Sequence, residues 1–258
     1  MNPAVLTPPT GADAPARPRV AADGIDIRDL PAEESIPRTA GELARRLGVS
    51  PDRVRLSPPP GTATMDDAVR LNERGEGVFE LVDGTLVEKA VGFGESVLAG
   101  NLQTAFNNHI RRQKTAAIVA GEAGFARAGR DRDLMRMPDV GVFLMSGFPA
   151  GTTVSDIKVS GHPADLAVEV LSEGNTAEEM TRKRGEYFAG GTRLVWVADH
   201  RKRTVEVWTS PTDMQLVRDG EALDGGDVLP GLRVDVSDWF DGLGEPAAGP
   251  ETTEGDDR

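Results

Sequence analysis

Residues 165–199 place one acidic side chain inside an otherwise apolar strand. The pattern predicts a buried strand, a capped helix that ends at Gly190, and a second buried strand at 194–199. Because side chains alternate faces along a strand, Glu169 shares a face with Ala167 and lies opposite Val168. A carboxylate buried there costs several kcal/mol unless a partner compensates it. The fold must therefore bring a partner to Glu169.

Aromatic residues and prolines divide the chain into segments. All twelve aromatic residues lie between Phe79 and Phe240, whereas eleven of the 18 prolines lie in the first 60 residues. We therefore predict one packed domain at 62–241, preceded by a flexible, disordered arm at 1–36. Residues 37–61 are predicted to form a short helix and a proline-rich linker. Residues 242–258 are predicted to form an acidic disordered tail.

Composition excludes several classes of protein. The chain has no cysteine, so it has neither disulfides nor thiolate metal sites. Its three histidines lie in no metal-binding spacing, and Val97 stands where a dinucleotide loop at Gly92 would need its third glycine. The net charge of −13 argues against tight nonspecific DNA binding but leaves a local basic stripe open. Without a signal peptide or a membrane-spanning run, we predict a cytoplasmic protein with no membrane association.

Strand and helix patterns together predict an α/β fold. Asp83-Gly84 predicts a hairpin over 78–90, and an apolar stripe predicts a long helix over 95–112. Hairpins on either side of a crossover helix predict a mixed central β-sheet flanked by helices. For residues 39–56 we considered one docking helix and a helix-turn-helix, and the single helix is favoured because the second has too short a pattern.

Three charged side chains are candidates for chemistry. Asp139 opens a buried strand and Glu169 lies within the next major strand, so their oxygens converge if those strands are neighbours. Carboxylate oxygens are the ligands that Mg²⁺ prefers, and Lys183 on the following helix could stabilise charge on a phosphate. Each also has a structural interpretation: a strand cap for Asp139, an ion pair with Arg193 for Glu169, and a solvated charge for Lys183.

The order and spacing of these motifs resemble the Uma-two family, a bacterial group of predicted nucleases with the restriction-endonuclease-like PD-(D/E)XK fold. The resemblance covers roughly residues 60–240 and rests on Phe79-Glu80 with Asp83-Gly84, Pro138-Asp139-Val140, 165–172, Lys183 with Tyr187, Gly191, 194–199, 223–231 and Trp239-Phe240. It implies that Asp139 and Glu169 are the two motif acids and that Glu80 is a further acid. The motif lysine belongs at 171, which is Leu171 here, and the resemblance places it instead at Lys183. For Glu80, an exposed hairpin position is equally open.

The resemblance implies a metal-dependent endonuclease that hydrolyses DNA phosphodiester bonds. Asp139 and Glu169, with Glu80 and the Val170 carbonyl as further candidates, would hold Mg²⁺ or Mn²⁺, and Lys183 would steady the reacting phosphate. Basic side chains would contact DNA, namely Arg127, Arg130, Arg132, Arg182, Arg184 and 201–203. The alternatives are a catalytically inactive module that binds DNA or a protein partner, and a helix-turn-helix regulator. A homodimer through exposed Trp208 or Trp239 is also open.

Overall fold

The computed structural model describes residues 37, 39–90, 92–122, 124–127 and 133–243, with the backbone alone at 126 and 127. The predicted arm at 1–36 lies outside the described residues, as do residues 128–132 and the part of the predicted tail from 244 onward.

Helices and strands alternate along the described chain. The helices are α1 (Ala40–Leu47), α2 (Met65–Glu73), α3 (Phe93–Gln113), α4 (Ala177–Gly190) and α5 (Val236–Asp241). The strands are β1 (Phe79–Val82), β2 (Thr85–Glu88), β3 (Ala117–Gly121), β4 (Phe125–Arg127), β5 (Leu134–Arg136), β6 (Val140–Leu144), β7 (Leu166–Val170), β8 (Leu194–Asp199), β9 (Thr204–Trp208), β10 (Met214–Arg218), β11 (Ala222–Asp224) and β12 (Arg233–Asp235).

The main sheet has the strand order β10-β9-β8-β7-β6-β3 in the described residues. Strands β7 and β8 are parallel, and the other neighbouring pairs are antiparallel. Parallel neighbours need a crossover connection, which α4 supplies. A smaller sheet has the order β2-β1-β5-β4, and β11 pairs with β12. The prediction of a mixed central sheet flanked by helices is confirmed.

Alternation along β7 decides which helix covers which face of the main sheet. Leu166, Val168 and Val170 pack in the hydrophobic cluster that includes residues of α3 and α5. Ala167 lies in the opposite cluster with Tyr187 of α4. Glu169 shares the face of Ala167 and therefore points toward α4.

Local signals account for the predicted elements. Asp83 and Gly84 have φ values of 50° and 67°, which is the left-handed backbone that a two-residue hairpin turn needs. The hairpin and the long helix are confirmed.

Ala44 of α1 packs against the hairpin at Val82 and Val87. Since residues 51–53 form only a 3₁₀ turn, the helix-turn-helix alternative is wrong.

Two sequence interpretations need correction. Thr176 and Glu179 predict a capping box, and the Thr176 hydroxyl does accept the Glu179 N–H at 3.0 Å. The Glu179 carboxylate does not return to the helix start, because it binds the Arg53 guanidinium instead. Trp239 is not an exposed dimer contact, since it is buried and donates its Nε1 proton to the Leu98 carbonyl.

We predict that Gly84→Ala destabilises the protein by about 1–3 kcal/mol, because Ala strains the positive φ. Its Cβ would also lie 2.8 Å from the Gly61 backbone. Urea unfolding measures the change. Gly100→Ala is the matched control, since a Cβ there meets nothing within 4 Å and the residue lies inside α3. We expect the control to be stabilising, by roughly 0.5–1 kcal/mol. Equal stability of Gly84→Ala and the wild type would contradict the steric explanation.

Candidate active site

Neighbouring strands bring Asp139 and Glu169 to the same end of the main sheet. Asp139 directly precedes β6, which pairs antiparallel with β7, and Val140 lies opposite Val168. The Asp139 Oδ2 atom accepts the backbone N–H of Val170 at 2.7 Å. Both acids are buried. The condition that the sequence left open, adjacency of the two strands, is met.

Helix α4 brings Lys183 to the same point. Its Nζ atom lies 3.4 Å from both carboxylate oxygens of Glu169 and 3.2 Å from Glu80 Oε1. The Lys183 side chain is only 1 % exposed, so its interpretation as a solvated helix charge is wrong. One helical turn later, the Tyr187 hydroxyl donates to Glu169 Oε1. Lys183 and Tyr187, rather than Arg193, are therefore the partners of the buried Glu169 carboxylate.

Glu80 is fully buried on the hairpin, so its interpretation as an exposed hairpin residue is wrong. Its Oε2 atom accepts from the Arg136 guanidinium at 2.7 Å, and its Oε1 atom accepts the Met137 N–H at 3.0 Å. Burial alone would raise the pKa of Glu80. The charges of Lys183, Arg136 and Lys89 and the Met137 N–H outweigh burial and lower the pKa to about 2. Glu80 is therefore ionised near neutral pH in the folded protein.

Lys89 belongs to this group, and sequence reasoning missed it. Its Nζ atom lies 2.9 Å from Asp139 Oδ1 and donates to the Met137 carbonyl at 2.6 Å. Burial favours a lower pKa for Lys89, but the charges of Asp139, Glu169 and Glu80 raise it above the ordinary value. A signal was available: Lys89 follows Val87 by two residues and so lies on the strand face that also carries Glu80.

Within the described residues, the buried site contains the carboxylates of Glu80, Asp139 and Glu169 and the cations of Lys89, Lys183 and Arg136. Opposite charges thus balance in number. Burial raises the pKa of Glu169; the Lys183 and Lys89 charges oppose this shift, while Asp139 and Glu80 add to it. Among the described residues, no group of three or more His, Cys, Asp and Glu side chains could hold a metal ion.

A chain of ion pairs connects Arg136 of the buried site to side chains nearer the surface. Its Nε atom donates to Glu186 Oε2 at 2.6 Å. Arg182 binds Glu186 at 2.7 Å and Asp83 at 3.0 Å. Arg136 was missed because β5, whose last residue it is, has only three residues and gave no strand signal.

Arg53 connects the segment before α2 to the elements that carry the lysines. Its guanidinium binds both oxygens of Glu179 at 2.7 and 2.8 Å. It also donates to the carbonyl of Glu88, the residue before Lys89, at 2.7 Å and to that of Gly174 at 3.0 Å. Glu179 lies one helical turn before Lys183 on α4. A single side chain thus fixes the end of β2 against the start of α4.

Basic side chains that the sequence assigns to DNA contacts are engaged with other residues in this structure. Arg201 lies 3.0 Å from Glu173, and Lys202 lies 2.9 Å from Asp199. The Arg184 guanidinium stacks 3.6 Å from the centre of the Trp208 ring. Ion pairs also hold Arg182 and Arg203. Arg130, Arg132 and the side chain of Arg127 lie outside the described residues.

Comparison with known proteins decides the family. The model of the Uma2 family, described as "Putative restriction endonuclease", matches residues 65–237. The chain belongs to the Uma2 family. The sequence resemblance is confirmed, and Uma2 membership supports a nuclease activity. Arg53 lies before the matched region, so the segment it belongs to is joined to the Uma2 core by contacts that the family model does not cover.

A solved structure supports the same fold. It is described as "a putative nuclease belonging to DUF820" from Anabaena variabilis, and the match has a TM-score of 0.57 at 19% identity. The match covers 65% of this chain and 92% of that chain. No curated protein matches the chain. Within the described residues, no helix has both the length and the apolar character needed to cross a membrane.

We predict that Arg53→Met destabilises the protein by about 3–5 kcal/mol, because it leaves the Glu179 carboxylate buried without its guanidinium. The matched control is Arg201→Met, whose partner Glu173 is 85 % exposed. We expect the control to cost less than about 1 kcal/mol. Chemical denaturation compares the variants. Equal losses in the two variants would show that the Arg53 pair is no stronger than a surface contact.

We predict that Glu80→Gln weakens the dependence of the free energy of unfolding on pH under acidic conditions. Because the pKa of Glu80 is about 2 in the folded protein, its ionised form stabilises the fold above the unfolded-state pKa. That stabilisation is lost as pH falls from the unfolded-state value, near 4.5, toward 2. Urea unfolding at several pH values in this window measures it. A Glu80→Gln curve as steep as that of the wild type would contradict the lowered pKa.

Proposed function

We propose that this Uma2 chain is a metal-dependent endonuclease that hydrolyses DNA phosphodiester bonds. The observation that carries the proposal is the buried Lys183 ammonium, which lies 3.2 Å from Glu80 Oε1 and 3.4 Å from Glu169 Oε1. Leu171 occupies the usual lysine position of the motif, yet an ammonium reaches the acids from α4. The family membership supports nuclease chemistry, and DNA as the substrate is part of the proposal.

Asp139 and Glu169 are the residues we assign to the metal. They supply carboxylate oxygens from adjacent strands, which is the donor type that Mg²⁺ and Mn²⁺ take in proteins. Lys183 lies 3.4 Å from Glu169 Oε2, beyond the usual length of a charge-assisted hydrogen bond, so this oxygen is available to a stronger partner. The Val170 carbonyl, water and the substrate phosphate would complete the ligands of an ion held by these two carboxylates. The bound ion supplies Lewis-acid charge to the phosphodiester.

Lys183 is the side chain we assign to the reacting phosphate. An ammonium fixed between two carboxylates is oriented before substrate arrives, and it stabilises negative charge that develops on the phosphate. Glu80 acts as a positioning residue, because its low pKa keeps it anionic and its contacts to Arg136 and Met137 hold it still. Tyr187 orients Glu169 through its hydroxyl proton.

A catalytically inactive module that binds DNA or a protein partner is the second candidate. It is favoured by one observation: each of the three site carboxylates already contacts a cationic side chain in the described structure. Plasmid cleavage in the presence of a divalent metal separates the two candidates, because an inactive module does not hydrolyse DNA.

We predict that the wild-type protein nicks supercoiled plasmid in the presence of Mn²⁺. Glu169→Gln and Lys183→Met should lower the rate by about 100-fold or more, because one removes a metal ligand and the other a charge on the phosphate. Glu173→Gln is the matched control, since Glu173 is exposed near the same end of β7, and it should cut at the wild-type rate. Melting curves verify folding. Equal nicking by the wild type and Glu169→Gln would rule out this assignment.

A further inference from the structure

The Lys89 ammonium lies on the carboxylate that we assign to the metal. Its Nζ atom is 2.9 Å from Asp139 Oδ1, and the Lys89 side chain is 3 % exposed. Asp139 Oδ2 accepts the Val170 N–H at 2.7 Å. Both oxygens of Asp139 therefore have partners before any ion arrives, and one of these partners carries a full positive charge.

We propose that Lys89 is an internal counter-ion that competes with divalent metal for Asp139 and thereby sets the metal affinity of the site. This inference rests on the proposed function, because it takes Asp139 and Glu169 as the metal ligands. It assigns Lys89 a role distinct from that of Lys183, which contacts Glu80 and Glu169 rather than Asp139.

Repulsion between the ammonium and the ion is the physical basis of the competition. A divalent ion on Asp139 would sit within a few ångströms of Lys89 Nζ, in a buried site where charges are screened less than in water. The carboxylates and cations of the site balance in the described structure, so no excess negative charge attracts the ion. Metal binding must therefore displace the ammonium from Asp139 or tolerate its charge.

The surroundings of Lys89 fix its backbone and leave the ammonium an alternative position. The Lys89 N–H donates to the Val78 carbonyl at 2.7 Å, and Arg53 holds the preceding carbonyl of Glu88 at 2.7 Å. The Nζ atom also donates to the Met137 carbonyl at 2.6 Å, and this contact can persist when Asp139 is released. The ammonium can thus move away from Asp139 without losing every partner.

Calorimetric titration of the full chain with Mn²⁺ alone tests the competition. Lys89→Met should bind Mn²⁺ at least about tenfold more tightly than the wild type, a change that corresponds to ~1.4 kcal/mol. Lys89→Gln, which keeps a hydrogen-bond donor without the charge, should behave alike. Lys89→Arg keeps the charge and should retain weak binding. The control is Lys158→Met, whose side chain is 52 % exposed and pairs with Glu73; it should leave the affinity unchanged.

Thermal melting supplies a second readout if Lys89→Met is poorly folded. Without metal, removal of Lys89 leaves the buried Asp139 carboxylate without its paired cation, so the melting temperature should fall. Mn²⁺ should then raise the melting temperature of Lys89→Met and Lys89→Gln more than that of the wild type, because ligand binding stabilises the folded state. Asp139→Asn in the same background should remove the extra stabilisation.

The outcomes separate this inference from the proposed function. Wild-type cleavage of plasmid with unchanged Mn²⁺ affinity in Lys89→Met and Lys89→Gln would overturn the competition and leave the nuclease standing. Tighter Mn²⁺ binding in these variants without any wild-type cleavage would support the competition and overturn the nuclease. Failure of the wild type and both variants to bind Mn²⁺ would overturn both.

Discussion

The burial of Glu80, Asp139 and Glu169 in one place is the constraint on which the rest of this structure depends. Isolated carboxylates in a protein interior are strongly disfavoured, and they persist only with cations and hydrogen-bond donors at close range. Lys89, Lys183 and Arg136 provide the charges, and Tyr187 and two backbone N–H groups provide further donors. Replacing buried ion pairs by well-packed apolar residues of similar volume is often neutral or stabilising, so the stability of the fold alone does not account for these charges.

The compensating cations also explain how the two sheets are joined. Lys89, just after β2 of the smaller sheet, pairs with Asp139 at the start of β6 in the main sheet, whereas Arg136 pairs with Glu80 within the smaller sheet. Lys183 comes from the crossover helix between two main-sheet strands. Each ion pair therefore ties separate elements together, and Arg53 extends the same arrangement to the segment before the family-matched region. The candidate site and the packing of the fold are one network.

Local signals made part of this structure predictable. The Asp83-Gly84 turn, the apolar stripe of α3 and the alternation around Glu169 each follow from backbone geometry within a few residues, and the structure has these elements. The need of Glu169 for a partner was also visible, because the cost of a buried carboxylate does not depend on knowing the partner. Lys183 was a candidate from its position on the following helix, and the family resemblance placed the motif lysine there.

Long-range pairing was not predictable from the sequence. Arg136 and Arg53 find their partners Glu80 and Glu179 across 56 and 126 residues, and nothing in a local pattern encodes such a match. The Glu179 side chain illustrates the limit. It forms a bidentate ion pair with the distant Arg53 instead of the capping box that its local sequence predicts. Strand alternation puts Lys89 on the face of Glu80, but a lysine at the end of a strand is ordinarily exposed, and only the folded hairpin places it on Asp139.

Anomalous diffraction from crystals soaked in Mn²⁺ tests the central claim most directly, because it locates the ion without relying on turnover. We predict an anomalous peak in contact with carboxylate oxygens of both Asp139 and Glu169, with the Lys89 ammonium moved away from Asp139 Oδ1. A fully ordered site that shows no peak there, with the lysine still on its carboxylate at saturating Mn²⁺, would contradict the assignment of these acids to a metal.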